Sequence, residues 1–279
     1  LGNRGHNSDF NYGDKLNASY NHNELTYLGD DATFIGCSSH KLGTLTRGEV
    51  GKPFPFFYGW KTDGVFQNAA EVAAYTNSEG ALLQPNAQAG DFRFVDVNGD
   101  GVINDDDRTK IGKGIPDWTL GLSLNLEWKG FDFSMLLQGQ FGVQAFNVSR
   151  RTDLYYINLP KNILNRWTGE GSTNSYPRFA FSSANENYRA SDYWVEDASF
   201  VRARNMQFGY TLPAKLTKHV AISRLRLYVQ AENLFTLTKY TGCDPEVTGG
   251  NSGYGTEVGI DRGVYPQNRT FTFGVNVNF

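Results

Sequence analysis

The chain is short of cysteine, of long apolar runs and of charge of either sign, and each shortage excludes something. Its 279 residues include 2 cysteines. Cys37 and Cys243 lie far apart and form no C-x-x-C pair, which argues against a disulfide-stapled scaffold and a thiolate metal site. Nowhere do the ~18 consecutive apolar residues of a membrane-spanning helix occur. The opening LGNRGHNSDF has neither the basic nor the apolar region of a signal peptide. Charge is nearly balanced, 26 Lys+Arg against 29 Asp+Glu, so a polyanionic partner such as nucleic acid is not expected. What the chain does have is Gly 31, Tyr 15 and Phe 20, a composition that suits β-structure. A mean hydropathy of −0.46 is compatible with a transmembrane β-barrel, whose apolar residues occupy alternate positions.

The most regular stretch starts at Trp118. Trp118, Leu120, Leu122, Leu124, Leu126 and Trp128 alternate with Thr119, Gly121, Ser123, Asn125 and Glu127, the pattern of a strand with one apolar face. After Lys129-Gly130 the pattern resumes with Phe131, Phe133, Met135, Leu137, Gly139 and Phe141, so the pair reads as a tight hairpin with both apolar sets on one side. Only Leu136 breaks it. A soluble sandwich would alternate in the same way, but two features favour a membrane. The strand length matches the ~9–11 residues that a tilted strand needs to cross a bilayer, and aromatic residues close both ends of both apolar rows, as interfacial girdles do.

Phe271, Phe273, Val275, Val277 and the final Phe279 alternate in the same way. Such an ending would leave an aggregation-prone apolar edge in a soluble domain and none in a closed barrel; a terminal Phe also resembles the recognition signal of bacterial outer-membrane proteins. Further candidate strands run from Phe10 to Tyr20, from Leu225 to Glu232, from Ser199 to Leu212 and from Phe56 to Phe66. Within 199–212 the apolar parity shifts, predicting a bulge or strand end near Arg204-Asn205. One short helix is expected after its cap Asn68. Seven strands is an odd count where single-chain bacterial barrels use even ones, so the chain reads as part of a barrel. Parity then makes 129–130 and 213–221 periplasmic turns and 67–116, 144–198 and 238–268 long extracellular loops.

Residues 96 to 107 read DVNGDGVINDDD. Asp96, Asn98, Asp100, the carbonyl of Val102 and Asp107 stand at the positions whose oxygens converge on calcium in an EF-hand-type loop, with Gly101 at the sharp turn. Asp107 replaces the usual longer Glu, and no helices flank the loop, so a solvated Asx-rich turn is the alternative. A calcium ion here would be structural. No HExxH, GxSxG, Walker or GxGxxG motif occurs, and the histidines are scattered. Asp153, Glu170, Glu186 and Asp192 show no catalytic spacing, so an enzyme is not expected.

Taken in order, FYGWKTDGVFQNAAEVAAY (57–75), GDFRFVDVNGDGVINDDDRTKIGKGIPDWTLGLSLNLEWKGFDFSMLLQGQFG (90–142), SFVRARNMQFGYTLP (199–213), AENLFTLTKYTGCDPE (231–246) and the closing FTFGVNVNF resemble the C-terminal part of the SusC/RagA family of TonB-dependent outer-membrane transporters. The resemblance implies an all-β barrel of about 22 strands. It also implies a plug and a TonB-contacting segment outside these residues, and a SusD-like surface lipoprotein that closes over the barrel. Family members import oligosaccharides or oligopeptides across the outer membrane; nothing in these residues chooses between them. The rival readings are a secreted or surface β-sandwich binding module with a calcium loop, and an outer-membrane barrel enzyme.

For ligand contact the aromatics of loop 144–198 stand out: Tyr155, Tyr156, Trp167, Tyr188, Tyr193 and Trp194. The alternative is that they pack the loop against itself or a partner. By the strand parity above, Cys37 belongs on the periplasmic side and Cys243 on the outer side, too far apart for the ~7 Å Cα separation that a disulfide allows.

Overall fold

The computed structural model describes residues 2–7, 9–30, 32–39, 42–150, 158–159, 161–180, 184–217, 219, 221–247 and 255–279. Its largest element is one antiparallel sheet whose seven main strands, in spatial order, are β1 (Gly2–Asn7), β2 (Phe10–Tyr20), β3 (Trp118–Trp128), β4 (Phe131–Phe141), β5 (Phe200–Thr211), β6 (Arg224–Glu232) and β7 (Thr270–Asn278). Each strand therefore neighbours the next one in the sheet. Thr236–Thr238 pairs the far end of β5 and continues the line of β6 after an interruption at Asn233, whose φ is 49°.

Register aligns the alternation of separate strands into rows. Phe10, Trp128, Phe131, Tyr210, Leu227 and Val275 stand side by side in one row at one end; Tyr12, Leu126, Phe133, Phe208, Val229 and Phe273 form the next. Tyr20, Trp118 and Phe141 close the opposite end. Between the apolar rows run polar ones, such as Gly13, Asn125, Ser134, Gln207, Gln230 and Thr272. Because side chains alternate with a period of two, one face is apolar and the other polar. The apolar face is bare: Phe273 is 80% and Phe271 61% exposed. No second layer covers it among the described residues, so the sandwich reading fails.

The hairpin turn works through backbone sign. Lys129 and Gly130 have φ of 46° and 91°, the two positive values of a type I′ turn, whose twist matches that of the strands. A side chain on Gly130 would also meet the Thr211 carbonyl at 2.8 Å. The parity shift in β5 is a bulge as well: Leu136 pairs Asn205 and Leu137 pairs Ala203, leaving Arg204 as the extra residue.

Two expectations are corrected. Residues 56–66 form no strand of the large sheet, because Phe56–Gly59 joins a four-stranded sheet with Ile35–Ser39, Gly43–Gly48 and Thr109–Gly112, while Thr62–Val65 pairs Phe92–Phe94. Phe56 and Phe57 are both fully buried. Consecutive burial needs protein on both faces, which neither lipid nor an aqueous lumen supplies. The true additional strand, β1, reads GNRGHN; it has no apolar alternation and is defined by its pairing with β2. In consequence the connection between β2 and β3 is 21–117, at the same end of the sheet as 142–199 and 239–269, and Cys37 lies at that end. Cys37 and Cys243 therefore belong to connections at one end of the sheet and not to opposite ends. Cys243 is exposed and free.

The core sits in these three connections. One cluster joins Leu45 and Phe57 of the first with Phe146, Ala190 and Trp194 of the second and Ile260 of the third. A second holds Val143, Ala145, Ala198, Tyr240 and Val247, and a third Val65, Phe92 and Phe94. The short helix Ala69–Ala74 is capped as expected, Asn68 accepting the Glu71 N–H.

Candidate functional site

The polar face carries the chemistry that the apolar face lacks. Near the Trp128 end, Arg226 of β6 donates to both carboxylate oxygens of Asp132 on β4 and, at 3.0 Å, to Gln207 of β5. These residues line an open basin of about 700 Å³ with Glu127, Arg224 and Asn276. Farther along, the bulge puts two arginines of β5, which as alternate residues share a face, on the polar side. Arg202, 2% exposed, donates to Asp244 at 2.6 Å, Glu246 at 3.1 Å and Thr236 at 2.9 Å. Arg204 donates to Gln138 at 2.7 Å and to both oxygens of Glu246. Without the extra residue Arg204 would lie in the apolar set. The bulge thus lets the sheet hold the connection 239–269 by a four-residue ion network.

Sequence reasoning passed over this network. Two arginines at alternate positions beside a parity shift, followed by a paired Asp and Glu in a loop, were the available signal. Burial pushes the Asp244 carboxyl up, but the amide N–H groups of Gln267 and Glu246 and the Arg202 guanidinium outweigh it and hold the group below its ordinary value.

The expected ligand-contact aromatics lie elsewhere. Trp194 is buried and its indole N–H donates to the Arg189 carbonyl at 2.8 Å. The Tyr193 ring packs 4.9 Å from Phe92, 5.5 Å from Tyr176 and 4.4 Å from the Arg150 guanidinium, and burial pushes its hydroxyl up. Tyr188 and Trp167 pack against the core clusters. Tyr155 and Tyr156 lie outside the described residues. The four described rings are thus used in packing. The carboxylates weighed for catalysis have structural partners too: Glu170 accepts from Asn68, Glu186 from Arg189, and Asp192 from the amide and hydroxyl of Thr62. Asp153 lies outside the described residues.

The loop 96–107 is closed by its own backbone. Asp96 accepts the N–H groups of Gly99 and Gly101; Asp100 accepts that of Val102 and the Asn98 amide. Asp107, fully buried, accepts the N–H groups of Val97, Asn98 and Asn104. Among the described residues no three His, Cys, Asp or Glu side chains gather into a metal site.

The dimensions of the sheet suit a bilayer. From Trp118 to Trp128 a strand advances about 34 Å at ~3.4 Å per residue. A tilt of ~35–45° leaves about 24–28 Å of height, close to the ~25 Å apolar band of outer-membrane barrels.

Comparison with known proteins agrees. The chain is 32% identical to TonB-dependent receptor P3 of Formosa agariphila over 98% of its own length and 27% of that protein. It is 28% identical to SusC of Bacteroides thetaiotaomicron over 97% of its length and 25% of that protein. The chain belongs with the SusC/RagA-type TonB-dependent receptors. It superposes on the RagAB peptide importer in its open-open state with a TM-score of 0.73 at 23% identity, and in its closed-closed state with 0.72 at 25%. Those matches cover 100% and 99% of this chain and 28% of each RagAB chain. No protein-family model matches. The chain thus spans about a quarter of the length of the curated receptors it matches, and its sheet is a portion of a large antiparallel barrel of the SusC/RagA type.

One prediction follows from the Asp244 network. A carboxyl whose folded pKa is depressed contributes stability above the ordinary carboxylate value of about 4, and that contribution is lost as pH falls through the folded value. Protease protection of residues 239–247 should be full at neutral pH and decline below about pH 4, whereas Asp244→Asn should lower protection at neutral pH and remove this acid step.

Proposed function

We propose that the full-length receptor imports oligosaccharides or oligopeptides across the outer membrane, as the barrel subunit of a two-component complex with a SusD-like surface lipoprotein. The observation that carries this reading is the aligned apolar and polar rows of the large sheet. One face is suited to outer-membrane lipid and the other to an aqueous path. In this reading the three long connections face outward, the turns at 129–130 and 212–223 face the periplasm, and energy arrives through a TonB-contacting segment outside this chain. The likeness to the RagAB peptide importer and to the TonB-dependent receptor SusC supports a transport role. Their receptor and importer names favour transport over catalysis. The long connections, rich in aromatics and Asn, suit a neutral or mixed-charge ligand and a protein partner.

Charge placement tests the barrel itself. Leu122 stands at mid-height in the row with Leu16 and Leu137, and Ser123 in the polar row with Lys15. A charge at mid-depth on the lipid face costs ~2–4 kcal/mol. Leu122→Arg should therefore abolish the heat-modifiable folded barrel on gels while Ser123→Arg retains it; equal behaviour would sink the assignment.

The transport reading is tested by isolating the full-length receptor through an affinity tag on the barrel and by measuring growth on single glycans and on peptides after deleting its gene. A co-isolated lipoprotein and loss of growth on one substrate class are expected. Isolation alone, with growth unchanged on every source, would remove the reading. Point variants serve better here than deleting 144–198, because Phe146, Ala190 and Trp194 from that segment belong to the shared core.

We further propose that a structural calcium ion binds Asp96, Asn98, Asp100, the Val102 carbonyl and Asp107. The spacing supports it, and each carboxylate oxygen that accepts one N–H retains a second lone pair. Calcium should raise the unfolding temperature of the full-length receptor relative to chelator, and Asp96→Asn should abolish the difference. An equal temperature with and without calcium would eliminate the ion.

A further inference from the structure

Residues of the first connection, with Arg189 of the second, form an alternating series of rings and guanidinium groups beside the Val65, Phe92 and Phe94 cluster. Arg47 lies 4.3 Å from the Phe34 ring centroid and 4.6 Å from that of Tyr58. Arg108 lies 4.4 Å from Tyr58 and 4.7 Å from Trp60. Arg189 lies 5.2 Å from Trp60 and 5.3 Å from Phe94. Each guanidinium thus serves two rings, and Tyr58 and Trp60 each serve two guanidinium groups. Tyr58 and Trp60 are two residues apart in extended chain, which puts them on one face. Each arginine also has a nearby carboxylate: Glu49 at 2.7 Å from Arg47, Asp105 at 3.9 Å from Arg108 and Glu186 at 2.9 Å from Arg189.

Trp60 is the junction of the series. Its indole N–H donates to the Asn104 carbonyl at 2.9 Å, inside the acidic loop. Its backbone N–H donates to the Ala190 carbonyl at 2.9 Å, and its carbonyl accepts the Asp192 N–H at 3.1 Å. The neighbouring Gly59 lets the two backbones approach, because a Cβ there would stand 2.1 Å from the Ala190 oxygen. Arg108 is placed by the loop that precedes it: buried Asp107 holds the N–H groups of Val97, Asn98 and Asn104, and the short 3-10 turn Asp105–Asp107 is capped by Asn104. The loop therefore sets the Arg108 side of the indole, and the second connection sets the Arg189 side.

We infer that this arginine–aromatic ladder couples the acidic loop 96–107 to the 188–194 segment, so that connections 21–117 and 142–199 respond as one body. The inference stands on side-chain geometry and is independent of the transport reading and of the calcium ion. Coupling of this kind is reciprocal: loosening either side must loosen the other. Guanidinium is needed because its flat, weakly hydrated face stacks on rings, which a lysine ammonium does not reproduce.

Hydrogen exchange followed by mass spectrometry on the full-length receptor in detergent tests it. Arg108→Lys should speed exchange of the segment holding the Trp60 and Asp192 amides by roughly fivefold to tenfold. Arg189→Lys should do the same for the amides of Val97 to Asn104, and exchange in β3 and β4 should be unchanged in both. The double variant should exceed the larger single effect by little, since both arginines act through one indole. If either variant fails to yield folded barrel, Trp60→Phe, which keeps a ring and loses the N–H to Asn104, should speed exchange on both sides. Acceleration confined to the neighbourhood of each substitution, or independent effects that add fully in the double variant, would overturn the coupling.

Discussion

Cross-strand register is the constraint on which the rest of the structure depends. A single-layer sheet with unlike faces tolerates no one-residue slip, because a slip would exchange every apolar side chain for a polar one. In this chain the requirement holds across strands separated by long connections. Trp128 meets Phe10 on one side and Phe131 on the other, and Phe131 meets Tyr210. The single irregularity within these rows, at Arg204, preserves the rule. The extra residue in β5 keeps Met206, Phe208 and Tyr210 in line with the apolar rows while returning Ala203 and Val201 to them beyond the bulge.

The bulge also shows how the wall and the connections are joined. Arg202 and Arg204 lie on the polar face because of it, and the acidic pair Asp244 and Glu246 reaches down to them from the connection 239–269. Buried ion pairs add little net stability compared with apolar packing of equal volume, but removing one partner leaves an uncompensated charge and is costly. Such a contact suits an attachment that must be specific in position. Guanidinium groups also lie between rings and carboxylates within the first two connections, beside the apolar cores that these segments share.

Three long connections with a shared core explain why aromatics that look poised for ligand are not free. Phe146, Ala190, Trp194, Phe57 and Ile260 come from all three, so the connections share one packed core.

The large sheet was legible in the sequence because its signal is local. Alternation over Trp118–Trp128 and Phe131–Phe141, the Lys129-Gly130 turn, the parity shift near Arg204 and the Asn68 cap are each contained within a few residues, and each appears in the structure where the residues put it. Strand membership was not legible where the local pattern was weak or misleading. GNRGHN is a strand because β2 offers it an edge, and Phe56–Gly59, which resembles a wall strand, is drawn into a four-stranded sheet by partners far along the chain. The fates of Trp167, Tyr188, Tyr193 and Trp194 were closed to sequence for the same reason. Whether a ring meets solvent or another ring depends on which connections converge, and that is set by the closing of long loops over one end of the sheet.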